Sequence, residues 1–243
     1  MKRDFRISYS RLNAYLFCPY KYKLIYLDNI RIPSNADITF GHIIHRTLEQ
    51  FHNCKHNNFS CNKLFELYND SWKNDGFITP QQIFEYYVRG KKMLKYYYQS
   101  FARSKDKIKV LCVEKQFTSN IGKYEFVGII DRIDEYPNKI YEIIDYKTHS
   151  NLWDQKKIDN DLQLSLYAYA CRNVFKLNPH RIAIYFLSKN RKIYTTRSDS
   201  AICKAIKIAL QIAENINIES FNPNIVNCHF CGLQSQCKYV HKV

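Results

Sequence analysis

The segment YEIIDYKTH, residues 141 to 149, places an acid and an amine where they can act together. Side chains alternate across a strand, so Asp145 and Lys147 project from one face of a run otherwise built for burial. Upstream, GIIDRID carries two more acids, Asp131 and Asp134. If Asp131 and Asp145 meet, their carboxylates repel and call for a cation between them. Hard oxygen ligands of this kind suit Mg²⁺ or Mn²⁺. Lys147 would then stand beside an attacking water or a substrate anion. Taken alone, the Asp145–Lys147 pair also reads as a surface ion pair across one pleat, worth ~0–1 kcal/mol. Asp134 is expected to pair with a basic neighbour, and Glu142 shares no face with Asp145.

Three of the nine cysteines cluster in CHFCGLQSQC, namely Cys228, Cys231 and Cys237. Their spacing suits a zinc knuckle with His229 or His241 as fourth ligand. Cys54, Cys61, Cys112, Cys171 and Cys203 are scattered and read as core or surface thiols. An odd count in a chain of this length argues against a disulfide framework.

These groups need elements to position them. SYSRLNAYLFCPYKYKLIYL, residues 8 to 27, has helical periodicity up to Cys18–Pro19, with Ser8 or Ser10 as cap. GHIIHRTLEQFH, 41 to 52, predicts a helix with Ile44, Leu48 and Phe51 on its apolar stripe and His45, Glu49 and His52 beside it. NNFSCNKLFELYNDSWKNDG and TPQQIFEYYVRGKKMLKYYYQSFARSKDK predict two further helices. The second mixes Tyr with Lys and Arg, which suits either a platform for single-stranded DNA or an ordinary amphipathic helix. Three strand-like runs follow, IKVLCVEKQFTS, KYEFVGIIDRID and KIYEIIDYKTH, with turns short enough for an antiparallel meander. In such a hairpin Asp131, ending the second strand, and Asp145, near the end of the third, lie apart unless the strands are offset. A helix at 159 to 176, a strand at 181 to 188 and a helix at about 199 to 217 complete a mixed α/β order.

Lys and Arg number 37 against 22 acids, and this net charge of +15 favours a polyanionic partner. Nucleic acid comes first, an acidic membrane surface second, and drift towards AT-rich coding is the plainer account. No apolar run approaches the ~20 residues that span a bilayer, and no signal-peptide core is visible, so a cytoplasmic location is expected.

The motifs GHIIH, GIIDRID, DYKT and QLSLY stand in that order, and the last supplies Gln163 and Tyr167 on one helical face. Together they resemble the PD-(D/E)XK nuclease superfamily and, within it, the RecB-type nuclease domains, over nearly the whole chain. The resemblance implies a restriction-endonuclease-like α/β core, a mixed sheet with flanking helices, carrying a helical attachment. It also implies a metal-dependent deoxyribonuclease, acting as an exonuclease on single-stranded DNA or DNA ends in repair, recombination or related processing. His45, Asp131, Asp145 and the backbone carbonyl of Tyr146 would bind the metal. Lys147 would orient the attacking water and stabilise the transition state, while Gln163 and Tyr167 would support the site and touch DNA.

In one branch of these relatives, which includes AddB-type subunits and CRISPR-associated exonucleases, an upstream cysteine joins the carboxy-terminal three on a [4Fe–4S] cluster. Cys18 stands in that upstream place, so residues 1–30 and 221–243 would form an iron–sulfur staple on a single domain, 1–243. The helical portion would span 41–105 and the catalytic core 106–190. DYKT and DRID lean towards the RecB/AddB branch. A helicase or another DNA-processing subunit is a conceivable partner on a separate chain. The competing reading is a non-cleaving, nuclease-like DNA-binding subunit of a helicase–nuclease or CRISPR adaptation complex. The presence of Asp131, Asp145 and Lys147 together favours the enzyme.

Overall fold

A computed structural model describes residues 6–54, 59–104 and 108–240. The expected boundary at 105–106, the end of the long basic helix and His241 lie outside the described residues. The chain divides into two units, one of residues 34–117 and 129–198, the other of residues 1–33, 118–128 and 199–243.

The larger unit holds all of the sheet except the strand ends within residues 118–128, and its strands lie in the order β1 (Lys109–Ile121), β2 (Tyr124–Tyr136), β3 (Ile140–Lys147), β4 (Pro179–Phe186) and β5 (Arg191–Thr195). β2 and β3 are antiparallel, as the short turn requires, and β4 and β5 are antiparallel too. β3 and β4 run parallel, so the chain must cross over between them. That crossover contains α6 (Gln155–Asp159) and α7 (Leu162–Asn173). The helix expected at 159 to 176 is α7, which starts only at Leu162 because Asp161 caps it, accepting from the Leu164 N–H at 2.9 Å, and the short α6 before it is an addition the sequence did not announce.

β5 is an element the sequence did not announce, and it carries the sheet past the expected limit at residue 190. Its short run RKIYT has no alternation long enough to read. What makes it a strand is its pairing with β4, along which the left-handed Asn190 (φ 48°) turns the chain back.

One face of the sheet is covered by α3 (Ala36–His52) and α5 (Pro80–Ser104). Phe40, Ile44, Leu48 and Phe51 join Leu94, Tyr97 and Phe101 over Ile144, Tyr146, Ala183 and Tyr185, all buried. α4 (Cys61–Ser71) presses on α5 at Gly90, where a Cβ would stand 2.0 Å from the Tyr68 hydroxyl. No larger residue fits there without moving Tyr68.

A polar network is enclosed under this helical layer. The Arg132 guanidinium donates to both Asp134 oxygens at 2.6 Å, to the Tyr97 hydroxyl at 2.7 Å and to His52 Nε2 at 3.1 Å. The expectation for Asp134 is met by a buried, two-pronged pair of the kind Arg forms best. Burial and then the Arg132 charge push the His52 pKa well below its usual value, so its Nε2 is free to accept.

In the smaller unit the helical periodicity of residues 8 to 27 stops at Cys18–Pro19, as the sequence indicates. Cys18 is extended (φ −165°, ψ 118°) ahead of Pro19, which starts a new helix, so the chain forms α1 (Tyr9–Phe17) and α2 (Pro19–Tyr26). Here α8 (Asp199–Asn217) buries Ala205, Ala209, Ile212 and Ile216 along one stripe. Ile7 bridges to Phe126 beyond the β1–β2 turn, where Gly122 takes φ +59°. No helix among the described residues is long and apolar enough to cross a membrane.

Truncating one partner of a buried ion pair strands the other charge, at a cost of about 3–5 kcal/mol. Asp134→Ala is therefore expected to lower Tm by on the order of 10 °C. Glu66→Ala, which breaks an exposed pair with Lys63, should shift it little. Thermal denaturation of the two variants checks the contrast.

Candidate metal centre

The register of β2 on β3 decides where the acids fall. The paired residues run from Tyr136↔Ile140 to Arg132↔Ile144. Asp131 does not end β2, as the sequence suggested, because that strand continues to Tyr136 and turns at Pro137–Lys139. Asp131 and Asp145 are therefore each five residues from the turn and come abreast instead of lying apart. At that point the Asp131 carboxylate itself accepts the Tyr146 N–H at 2.7 Å.

α3 brings His45 to the same place. Its Nδ1 donates to Glu114 Oε1 at 2.8 Å and lies 3.7 Å from Asp131 Oδ2. His45, Glu114 and Asp131 each offer a ligand atom, all within 4.8 Å of one another, and form the one such group among the described residues. Glu114 was missed in the sequence. It lies on β1 with a left-handed backbone, φ 42°, a costly conformation for a residue with a Cβ and one that gathers at functional sites. The available signal was an acid interrupting the apolar run VLCVEKQF.

Asp145 and Lys147 share a face, and Lys147 Nζ lies 2.7 Å from Asp145 Oδ2. That oxygen is buried, yet the ammonium does not meet it at hydrogen-bonding angles, so it keeps an unfilled acceptor position. Lys147 also donates to Gln163 Oε1 at 3.4 Å, and Gln163 Nε2 to the Tyr167 hydroxyl at 3.0 Å. The helix face expected for Gln163 and Tyr167 thus continues the line from Asp145. Tyr146 points the other way, its hydroxyl 3.0 Å from that of Tyr97 in the enclosed network, and only its backbone faces the acids.

The electrostatics ask for a cation. Burial opposes charge on His45, but Asp131 and Glu114 outweigh it and raise the pKa to about 9. Burial, aided by Asp145 and Glu114 against the pull of His45, pushes the Asp131 pKa up. A proton on His45 is the countercharge in this arrangement. Replacing it with a hard divalent ion suits the two carboxylates, the imidazole and the unfilled oxygen of Asp145.

The family model of the PD-(D/E)XK nuclease superfamily matches residues 6–238. The chain belongs to that superfamily. Membership implies a metal-dependent nuclease, and a His45–Glu114–Asp131 centre agrees with it. Among solved structures, the chain is similar to one described as "Crystal structure of SSO0001", at 15% identity and a TM-score of 0.39. The similarity covers 90% of this chain and 94% of the other. No curated protein sequence matches.

In the smaller unit, Cys18, Cys228, Cys231 and Cys237 line one pocket with Phe17, Leu24 and Asn224. Cys18 Sγ accepts the Asn224 N–H at 3.3 Å. His229 is exposed and does not line the pocket, whereas Asn227 and Tyr239 do. The four sulfurs are not drawn together as one ion would draw them: Zn–S bonds of ~2.3 Å place tetrahedral sulfurs ~3.8 Å apart. No three of them meet within 4.8 Å.

The folded protein holds the His45 proton up to a pH of about 9, whereas the unfolded chain releases it near the ordinary 6.5. This contribution to stability is complete below pH 6.5 and is lost as pH rises through 9. In chelator, Tm is expected to fall over that window, and His45→Gln should flatten the fall. Mn²⁺ should raise Tm more at pH 8.5 than at pH 6, because it competes with the proton. Calorimetry across the pH series checks all three.

Proposed function

We propose that the protein is a deoxyribonuclease of RecB type, hydrolysing phosphodiester bonds in single-stranded DNA or at DNA ends with Mg²⁺ or Mn²⁺. The observation that carries this reading is the convergence of His45, Glu114 and Asp131 beside the Asp145–Lys147 pair. A divalent ion bound there supplies Lewis acidity towards a phosphoryl oxygen and a nucleophile at neutral pH. Glu114 and Asp131 would hold it with His45 in its neutral form, and Asp145 Oδ2 is the further oxygen within the same cluster of charge. Lys147, on the same strand face as Asp145, would orient the water and stabilise charge on the phosphoryl oxygens. Gln163 and Tyr167 would hold the Lys147 ammonium and approach the strand. The surplus of 15 positive charges supports a nucleic-acid substrate.

End-labelled DNA digested with Mg²⁺ or Mn²⁺ tests the reading. Asp131→Ala, Lys147→Ala and Glu114→Gln are each expected to slow cleavage at least about a hundredfold, because such groups act on the transition state. Binding should change little, since it comes from the spread basic surface. Ca²⁺ should support binding without turnover. Tight binding with no cleavage by the unmodified protein would favour the non-cleaving subunit instead.

We also propose that Cys18, Cys228, Cys231 and Cys237 hold a [4Fe–4S] cluster. The four thiols lining one pocket, with a backbone N–H on Cys18 Sγ, support it. The link from Cys18 to Cys228 would close a loop of about 210 residues. By the chain-entropy formula for cross-links that restrains the unfolded chain by roughly 5 kcal/mol. Anaerobically prepared protein should be brown and contain iron and sulfide. Cys18→Ala should be colourless and melt earlier, while Cys54→Ala should change neither property. Stoichiometric zinc without iron would exclude the cluster.

A further inference from the structure

The segment between β3 and α6, residues 148–154, is held to the larger unit at several points. Arg89 donates to the Thr148 carbonyl at 2.9 Å, and Ser188 to the His149 carbonyl at 2.8 Å. Asp154 caps α6 through the Lys157 N–H at 2.7 Å. Gly41 of the GHIIH motif lets α3 approach, a Cβ there standing 3.6 Å from Thr148 Oγ1. The side chains of this segment serve none of the contacts described at the metal centre.

Two of them are aromatic and adjoin Lys147. His149 and Trp153 are stacked, with centroids 5.9 Å apart and planes at 28°. Buried Phe186, ending β4, props both by its edge, 5.5 Å from His149 and 6.1 Å from Trp153. Trp153 is only half-buried. Its ring meets two cations: Lys157 Nζ lies 4.0 Å from the centroid and Lys147 Nζ 5.8 Å. A tryptophan placed only to fill a core would be closed in by apolar groups.

We propose that Trp153 is a stacking platform for an unpaired nucleobase next to the phosphate that Lys147 engages, with His149 backing it. This rests on the nuclease reading and names the substrate class more narrowly, as a single strand or a frayed end. The Lys147 ammonium lies between Asp145 and the indole, so one nucleotide can place its phosphate on the first side and its base on the second. Lys157 is exposed, and its cation–π contact is weaker than base–aromatic stacking, so an arriving base displaces it towards the backbone phosphates. A base inside a duplex has both faces covered by its neighbours and offers Trp153 nothing. Trp153 acts here as a positioning residue: it touches the base and leaves the chemistry to the acids and Lys147.

The protein has two tryptophans, so Trp72→Phe leaves Trp153 as its sole indole reporter. With Ca²⁺ in place of Mg²⁺, oligothymidylate is expected to quench Trp153 emission in that variant, and the corresponding duplex to leave it unchanged. With Mg²⁺, Trp153→Ala should raise KM for the single strand about tenfold, the equivalent of ~1.4 kcal/mol, with kcat within about twofold. Trp153→Phe should restore most of the loss. An emission that stays constant while anisotropy shows the oligonucleotide bound overturns the platform. So does an unchanged KM in Trp153→Ala, or equal quenching by duplex. In each of those outcomes DNA cleavage by the unmodified protein leaves the nuclease reading standing. Failure of that protein to cut any DNA removes the reading and the platform with it.

Discussion

The site depends on where the β2–β3 ladder stops. Up to Arg132↔Ile144 the two strands satisfy each other's backbone, and at the next step the Asp131 carboxylate takes the Tyr146 N–H instead. A carboxylate bound this way cannot rotate out of the cluster. Its neighbours are set by the same register, because Asp145 comes abreast of it on β3. A slip of one residue would turn every side chain of β3 over and carry Asp145 and Lys147 to the helical face.

The same two strands therefore hold two opposite electrostatic solutions. Towards α3 and α5, Arg132 finds Asp134, and the charges close on each other in a buried network with Tyr97, Tyr146 and His52. On the other side the acids outnumber the cations. Glu114, Asp131 and Asp145 have His45 and Lys147 among them, and Asp145 Oδ2 keeps an unfilled position. The first arrangement needs nothing from outside, and it locks the strand pair in register. The second is costly until a cation or a substrate arrives, and strain at Glu114 adds to that cost. A fold can keep such a centre because the Arg132 and Asp134 charges beneath it neutralise each other.

The smaller unit has a comparable tension around its thiols. Burial first, and then the neighbouring Cys237, Cys18 and Cys231, push the Cys228 thiol up, so Cys228 resists ionising without positive charge beside it. Pro19 contributes by ending α1 at Cys18, which leaves that sulfur at a helix junction instead of along a helix face.

Much of this was determined by local order along the chain. Period-two alternation placed Asp145 and Lys147 on one face, a spacing of four placed Gln163 and Tyr167 on another, and Arg132 was near enough in sequence to claim Asp134. Such relations follow from strand and helix geometry and need no distant partner. Glu114 was not legible, because its role comes from a strained backbone and from α3 packing nearby, and neither leaves a pattern in VLCVEKQF. β5 was not legible either, since five residues acquire strand character only by pairing with β4. Nor was the meeting of Asp131 and Asp145, which sequence reasoning set at separated strand ends. The length of β2 beyond Asp131 settled it, and that length is decided by long-range pairing and by where the turn at Pro137 closes. The residue types of the site were determined by the sequence. Their convergence was decided only by tertiary structure, because mutually repelling acids have no local reason to approach and are held together by the backbone pairing and packing around them.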